Sequence, residues 1–153
     1  MPDQNQTVQV QPHAGAAEAR LRVRYAETDQ MGVVYYANYL IWMEIGRVEL
    51  LRQAGFDYKS MEIEDECHIP VVEATCRYKS PARYDDEIVI ATTAAVLRGY
   101  ILKFSYRIRR ASDQKLLAEG ETVHVITDSK MQRKLLPEKY VAALSRQSEL
   151  RTK

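Results

Sequence analysis

From Glu18 onward, apolar and polar residues alternate. Leu21, Val23 and Tyr25 fall on one side of an extended chain and Arg20, Arg22 and Arg24 on the other. This is the period-two pattern of a half-exposed strand, and it runs to Glu27. After a polar interval the period changes. Between Asn38 and Ala54 there is no proline, and Leu40, Ile41, Trp42, Met43, Ile45, Val48, Leu50 and Leu51 cover most of a helical circumference. Glu44, Arg47, Glu49 and Arg52 form no single polar stripe, so the pattern predicts a helix wrapped by other structure. Asn38 is the expected N-cap and Gly55 the C-terminal stop. Gly46 costs about 1 kcal/mol of helix propensity relative to Ala, and close approach of another backbone is the expected reason for it.

A connection from Asp57 to Glu66 leads to four more alternating stretches, roughly 69–79, 86–97, 101–110 and 116–127. Arg98-Gly99-Tyr100 and Ser112-Asp113-Gln114 are short enough for hairpins, so the strands they join pair antiparallel. On the third stretch Leu102, Phe104, Tyr106 and Ile108 share the core face. A short helix after Pro137 closes the chain. The expected architecture is α+β, with five antiparallel strands curved around one long helix.

Composition narrows the possibilities. The 153 residues suit one core, and 22 Lys and Arg against 21 Asp and Glu give no global reason to expect nucleic acid or a membrane surface as partner. No apolar run approaches the length of a membrane span and the first twenty residues lack the pattern of a signal peptide, so a cytoplasmic protein is expected. Residues 1–17, rich in Gln, Pro, Ala and Gly without periodicity, read as a disordered tail. Residues 18–145 read as the single domain and 146–153 as a C-terminal tail. Cys67 and Cys76 are too few for a disulfide framework. Cys67 beside His68 lacks a second ligand pair, so no metal and no cofactor is expected.

Candidate chemistry lies in YAETDQMGVVYYANYL, residues 25–40, where one free carboxylate, Asp29, sits between a strand and a helix start. Backbone amides at a helix N-terminus carry partial positive charge and lack intrahelical partners, so a carboxylate and an electrophilic carbonyl can be held there together. In isolation Asp29 also fits an ordinary turn acid.

The segment TDQMGVVYYANYLIWMEIGR, with the later SPARYDDEI, closely resembles the hydroxybenzoyl-CoA thioesterase branch of the hotdog-fold acyl-CoA thioesterases, including the Tol-Pal-associated, YbgC-like enzymes. The resemblance spans Leu21 to about Val141. It implies the hotdog fold and hydrolysis of a small or medium acyl- or aroyl-CoA thioester. Asp29 then matches the catalytic carboxylate, acting as general base or nucleophile without a triad or a metal. Amides near Val34, Tyr35 and Tyr36 or at the helix start are the expected oxyanion donors, with Gly32 permitting the tight loop. Tyr36 stands where Tol-Pal-associated members commonly carry His. For Tyr36 and Tyr25, contact with substrate and simple packing both stay open. Asn38 is read as a cap near the substrate, Arg98 as a contact to coenzyme A phosphates, and Arg83, Lys103 and Arg133 as weaker candidates. Trp42 and Ile45 either line an acyl pocket or are plain core, and Glu44 is an ion-pair or interface residue. The resemblance further implies a homodimer or homotetramer with sites between subunits, and an acyl carrier protein as an alternative thioester donor. A non-catalytic acyl-CoA or carrier-protein binding module is the other class. A hotdog dehydratase is a third, disfavoured because His13, His68 and His124 fall outside the loop and helix.

Overall fold

The computed structural model describes residues 16–149. Their order is β1 (Ala17–Arg22), α1 (Asn38–Gln53), α2 (Tyr58–Glu64), β2 (Val71–Tyr78), β3 (Glu87–Leu97), β4 (Ile101–Arg110), β5 (Leu116–Val125) and α3 (Glu138–Glu149). All strand pairs are antiparallel, in the order β1-β3-β4-β5-β2. The sheet curls around α1 in the hotdog arrangement, and the two hairpins join β3 to β4 and β4 to β5 as their turn chemistry requires. Because β1 and β2 lie at opposite edges, the chain crosses the whole sheet between them, and α1 is the element that fills this crossing.

The core is the layer between α1 and the sheet. Leu102, Phe104, Tyr106 and Ile108 of β4 are buried, and Trp42, Met43, Leu50 and Leu51 of α1 pack on the same layer. Gly46 explains how the helix sits so low. A Cβ there would lie 2.5 Å from the Thr92 hydroxyl oxygen and 2.8 Å from Ile90 Cγ2, so it is sheet side chains that press on the glycine, where another backbone was expected.

Four local differences from the sequence pattern have physical causes. The first strand ends at Arg22; residues 25–27 form a 3-10 turn, because the Glu27 and Thr28 amides bond back to the Arg24 and Tyr25 carbonyls. Asn38 is not the cap: it is the first residue of α1, behind Ala37, and its side-chain amide donates to the Glu27 carbonyl at 2.9 Å. The connection after Gly55 holds a helix, α2, capped by Asp57, whose carboxylate accepts from the Lys59 amide at 2.8 Å. Finally, α3 runs to Glu149, past the expected domain end at 145, while β1 begins at Ala17. The expected N-terminal tail otherwise lies outside the described residues.

A polar chain crosses the core. Tyr106 and Thr122 hydroxyls are 2.6 Å apart, Thr122 is 2.8 Å from His124 Nε2, and His124 Nδ1 is 2.7 Å from the Ile69 carbonyl. The carbonyl can only accept, so Nδ1 carries the proton and Nε2 accepts from Thr122. Burial pushes the His124 pKa down to about 4, against the bond to Ile69 and with the help of the nearby Arg47 charge. The ring is neutral and fully committed.

Candidate active site

The segment after the 3-10 turn folds back on itself as a small ladder. Thr28 bridges Val34, the Tyr35 amide donates to the Glu27 carbonyl at 2.9 Å, and the Asp29 amide donates to the Val33 carbonyl at 2.9 Å. The Gly32 amide returns to the Asp29 carbonyl at 3.0 Å, with Gly32 at φ +77°, a conformation that strains any residue with a Cβ. The loop thus carries Asp29 at its turn and ends at the first residues of α1.

Asp29 is half-buried, and its Oδ1 accepts the Met31 amide at 2.9 Å. Among the described residues Oδ2 has no partner, so the carboxylate is oriented by one oxygen and available through the other. The hydroxyls of Tyr35 and Tyr36 lie nearby. Tyr35 is held above its usual pKa, first by its bond with Tyr36 and also by the negative charge of Asp29. The rings of Tyr35 and Tyr36 are 4.7 Å apart, and the Tyr36 carbonyl accepts the Tyr78 hydroxyl at 3.0 Å, tying the loop to the end of β2.

The amides divide into spent and unspent. Val34 donates to the Ala82 carbonyl at 2.8 Å and Tyr35 to Glu27, so two of the three loop amides expected as oxyanion donors are spent. The Tyr36 and Ala37 amides meet no acceptor among the described residues and stand immediately before α1, where the peptide dipoles add to their partial positive charge. They are the donors the geometry offers to a developing oxyanion.

Other expected residues are distributed differently. Tyr25 is exposed on the 3-10 turn, its ring edge-on to Tyr84 at 5.5 Å, and no described contact joins it to Asp29. Trp42 is wholly buried core, and Ile45, 41% exposed on the face of α1 away from the sheet, lines a groove of about 400 Å³ with Ile41, Glu44 and Val48 that no residue of the Asp29 loop reaches. Arg98 is exposed in the β3–β4 hairpin at φ 54°. The β1–β3 register puts the Asp29 loop at the Glu87 end of β3, and eleven residues separate that end from the hairpin. At about 3.3 Å per residue, roughly 35 Å of strand lies between the hairpin that carries Arg98 and the end of the sheet that carries Asp29. Lys103 pairs with Glu121 at 3.1 Å, and the Arg133 guanidinium stacks over Tyr100 at 4.3 Å. Among the described residues no three His, Cys, Asp or Glu converge as metal ligands.

A groove of about 270 Å³ opens beside the loop between Val33, Tyr36, Tyr39, Tyr78 and Lys79. Ligand pockets run from about 300 Å³ upward, so this groove lies just below the usual range for a small-molecule site. A larger groove of about 730 Å³ lies on the sheet around Arg77, Arg107, Glu119 and Glu121, and no Asp29 loop residue lines it.

One residue of the site was not anticipated. Glu27 is buried, yet its carboxylate accepts the Arg24 amide at 2.9 Å and the Trp42 indole N–H at 2.8 Å. Burial by itself would raise its pKa; the donors from Arg24 and Trp42 outweigh it and hold the carboxyl below the usual range. Alternation does not find it: the register that turns Val23 inward would turn Tyr25 inward as well, yet Tyr25 is 78% exposed, and it is the 3-10 turn at residues 25–27 that brings Glu27 in.

The sequence profile of the thioesterase-like superfamily matches residues 23–144. The chain is 38% identical over 123 residues to the acyl-CoA thioester hydrolase YbgC of Escherichia coli O6:H1, covering 80% of this chain and 90% of that one. Among solved structures, the protein TT1821 of Thermus thermophilus superposes with a TM-score of 0.78 at 38% identity, over 84% of this chain and 97% of that one. The gentisyl-coenzyme A thioesterase BH1999 superposes with a TM-score of 0.73 at 27% identity, over 81% and 98%.

Proposed function

This chain belongs to the thioesterase-like superfamily, and we propose that it hydrolyses an acyl-CoA thioester to the free acid and coenzyme A, with Asp29 activating the attacking oxygen. The observation that carries this reading is the pairing of one half-free carboxylate, Asp29, with two unspent amides, Tyr36 and Ala37, on a single loop. The thioester carbonyl sits against the two amides. Asp29 Oδ2 takes a proton from water as it attacks, or attacks the carbonyl itself to give an anhydride that water opens. The tetrahedral oxyanion is held by the amides and collapses with loss of the thiolate, which then receives the proton. Thiols ionise near pH 8.5, so departure needs little assistance. Tyr36 and Tyr35 place hydroxyls at the rim, where they orient the water or the carbonyl.

A second chain completes the site. β2 is an edge strand of eight residues with Val71, Val72 and Tyr78 exposed, an edge that natural sheets seldom leave unpaired. Two β2 edges paired antiparallel set the Tyr78 end of one chain against the Val71 end of the other. The Arg98 hairpin lies at the Val71 end, so this pairing carries Arg98 of the second chain to the Asp29 end of the first, where coenzyme A phosphates need a cation. The exposed Leu40, Ile41 and Ile45 of α1 support a further association of two dimers. Light scattering is expected to give a mass of two or four times 17.6 kDa; a 17.6 kDa particle with full activity contradicts the shared site. The reaction itself is tested by release of free thiol from a panel of acyl- and aroyl-CoA thioesters. An acyl carrier protein thioester, assayed in parallel, is the competing donor.

A further inference from the structure

Glu27 is a buried carboxylate that the chemistry above does not use, and it bonds in three directions. Its side chain takes the Arg24 amide, at 2.9 Å, from the chain leaving β1, and the Trp42 indole, at 2.8 Å, from the second turn of α1. Its carbonyl takes both the Tyr35 amide and the Asn38 side-chain amide at 2.9 Å. The residues caught between these bonds are those of the reaction: Asp29 follows Glu27 by two positions, and the Tyr36 and Ala37 amides fill the gap between Tyr35 and Asn38. With Tyr35 bonded to the Glu27 carbonyl, the next two amides have no strand partner and stand unspent before the helix.

We infer that Glu27 is a positioning residue for the thioesterase reaction, its carboxylate locking the Asp29 loop to Trp42 of α1 so that Asp29 and the Tyr36 and Ala37 amides keep one geometry. This rests on the proposed hydrolysis and says which buried group sets its geometry. A carboxylate is needed because every group facing it is a donor: the Arg24 amide, the Arg24 guanidinium at 3.4 Å and the indole. Glutamine has nearly the same shape but turns an NH₂ toward one of those donors. The substrate touches none of these atoms. It binds through the tyrosine-lined groove and its phosphates, contacts made equally in the ground and transition states, whereas the amides act on charge that develops only in the transition state. Loosening the lock therefore lowers kcat and spares KM.

The test compares wild type, Glu27→Gln, Trp42→Phe and the double variant by free-thiol release, with kcat counted per folded chain from an unfolding curve at the assay temperature. The expected results are a fall in kcat of roughly ten- to hundredfold for Glu27→Gln with KM within about twofold, and a fall in the same direction for Trp42→Phe. The double variant is expected within about twofold of Glu27→Gln, because both remove one lock. A kcat for Glu27→Gln within twofold of wild type overturns the inference. So does a loss that vanishes when counted per folded chain, or losses that multiply in the double variant. If Glu27→Gln does not fold, Trp42→Phe alone decides: lower kcat with unchanged KM supports the lock, and unchanged kcat removes it. Failure of wild type to release thiol from any thioester is the separate failure of the hydrolysis reading.

Discussion

Asp29→Asn is expected to lower kcat for thioester hydrolysis by about a thousandfold while leaving the fold in place. Asparagine keeps an oxygen where Oδ1 accepts the Met31 amide at 2.9 Å, so the turn from Asp29 to Val33 keeps its bonds. What disappears is the basic, nucleophilic oxygen at Oδ2, and a positioned general base contributes about 10² to 10⁴ in rate. The residual rate comes from the Tyr36 and Ala37 amides and from the acidity of the leaving thiol. Stability should change by less than about 0.5 kcal/mol, because asparagine keeps the acceptor for the Met31 amide, the side-chain bond that Asp29 makes. Steady-state kinetics of thiol release and urea unfolding of the two proteins measure both. Turnover in ¹⁸O water tests the nucleophilic route: label in Asp29 requires an anhydride opened by water at the aspartyl carbonyl, whereas general-base catalysis puts label only in the released acid.

The second large effect is on stability and depends on pH. His124 is buried and neutral, donating from Nδ1 to Ile69 and accepting at Nε2 from Thr122, with its pKa lowered to about 4. In the unfolded chain it titrates near 6.5, so below that pH the unfolded state binds a proton that the folded state refuses. Its contribution is complete above about pH 6.5 and is lost as the pH falls toward 4, by at most roughly 3 kcal/mol. Urea unfolding at pH 7 and at pH 4.5 should show this decline in the wild type. His124→Asn starts from a less stable protein at pH 7, since the Tyr106–Thr122 chain loses its terminus, and it should lose markedly less between the two pH values. Equal losses in both proteins would mean that other groups govern the acid limb.

Much of this structure is visible in the sequence, and the divisions are instructive. The alternation in β4, with Leu102, Phe104, Tyr106 and Ile108 inward, holds as far as Ile108 because ladders on both sides fix its register, and it breaks where the β4–β5 register shifts at Arg109. The helix from Asn38 is equally plain, and its apolar circumference is explained on one side by the sheet. Its other side leaves Leu40, Ile41 and Ile45 exposed, and the fold of one chain does not account for them. The strand entering the site misleads because alternation alone cannot show where a chain tightens: at Tyr25 the 3-10 turn rotates the tyrosine out and brings Glu27 in. Asn38 misleads for a related reason. An Asn at a helix start has the chemistry of a cap, but here the carbonyl of Glu27 lies within reach and takes its amide instead. Which amides are spent is tertiary information, since Val34 is consumed by Ala82, some fifty residues away in the SPARYDDEI segment. Arg98 shows the same limit from the other side. Within one chain it stands at the far end of the sheet from Asp29, a separation that the strand register shows and the residue pattern does not.

The most direct measurement is release of free thiol from purified protein across short, medium and aromatic acyl-CoA thioesters, with Asp29→Asn assayed beside it. Hydrolysis of at least one thioester with kcat/KM above about 10⁴ M⁻¹ s⁻¹, reduced about a thousandfold in Asp29→Asn, is the expected result. Tight binding of acyl-CoA without thiol release, or equal rates in the two proteins, would contradict a carboxylate-driven hydrolase and make the chain a binding module of the same fold.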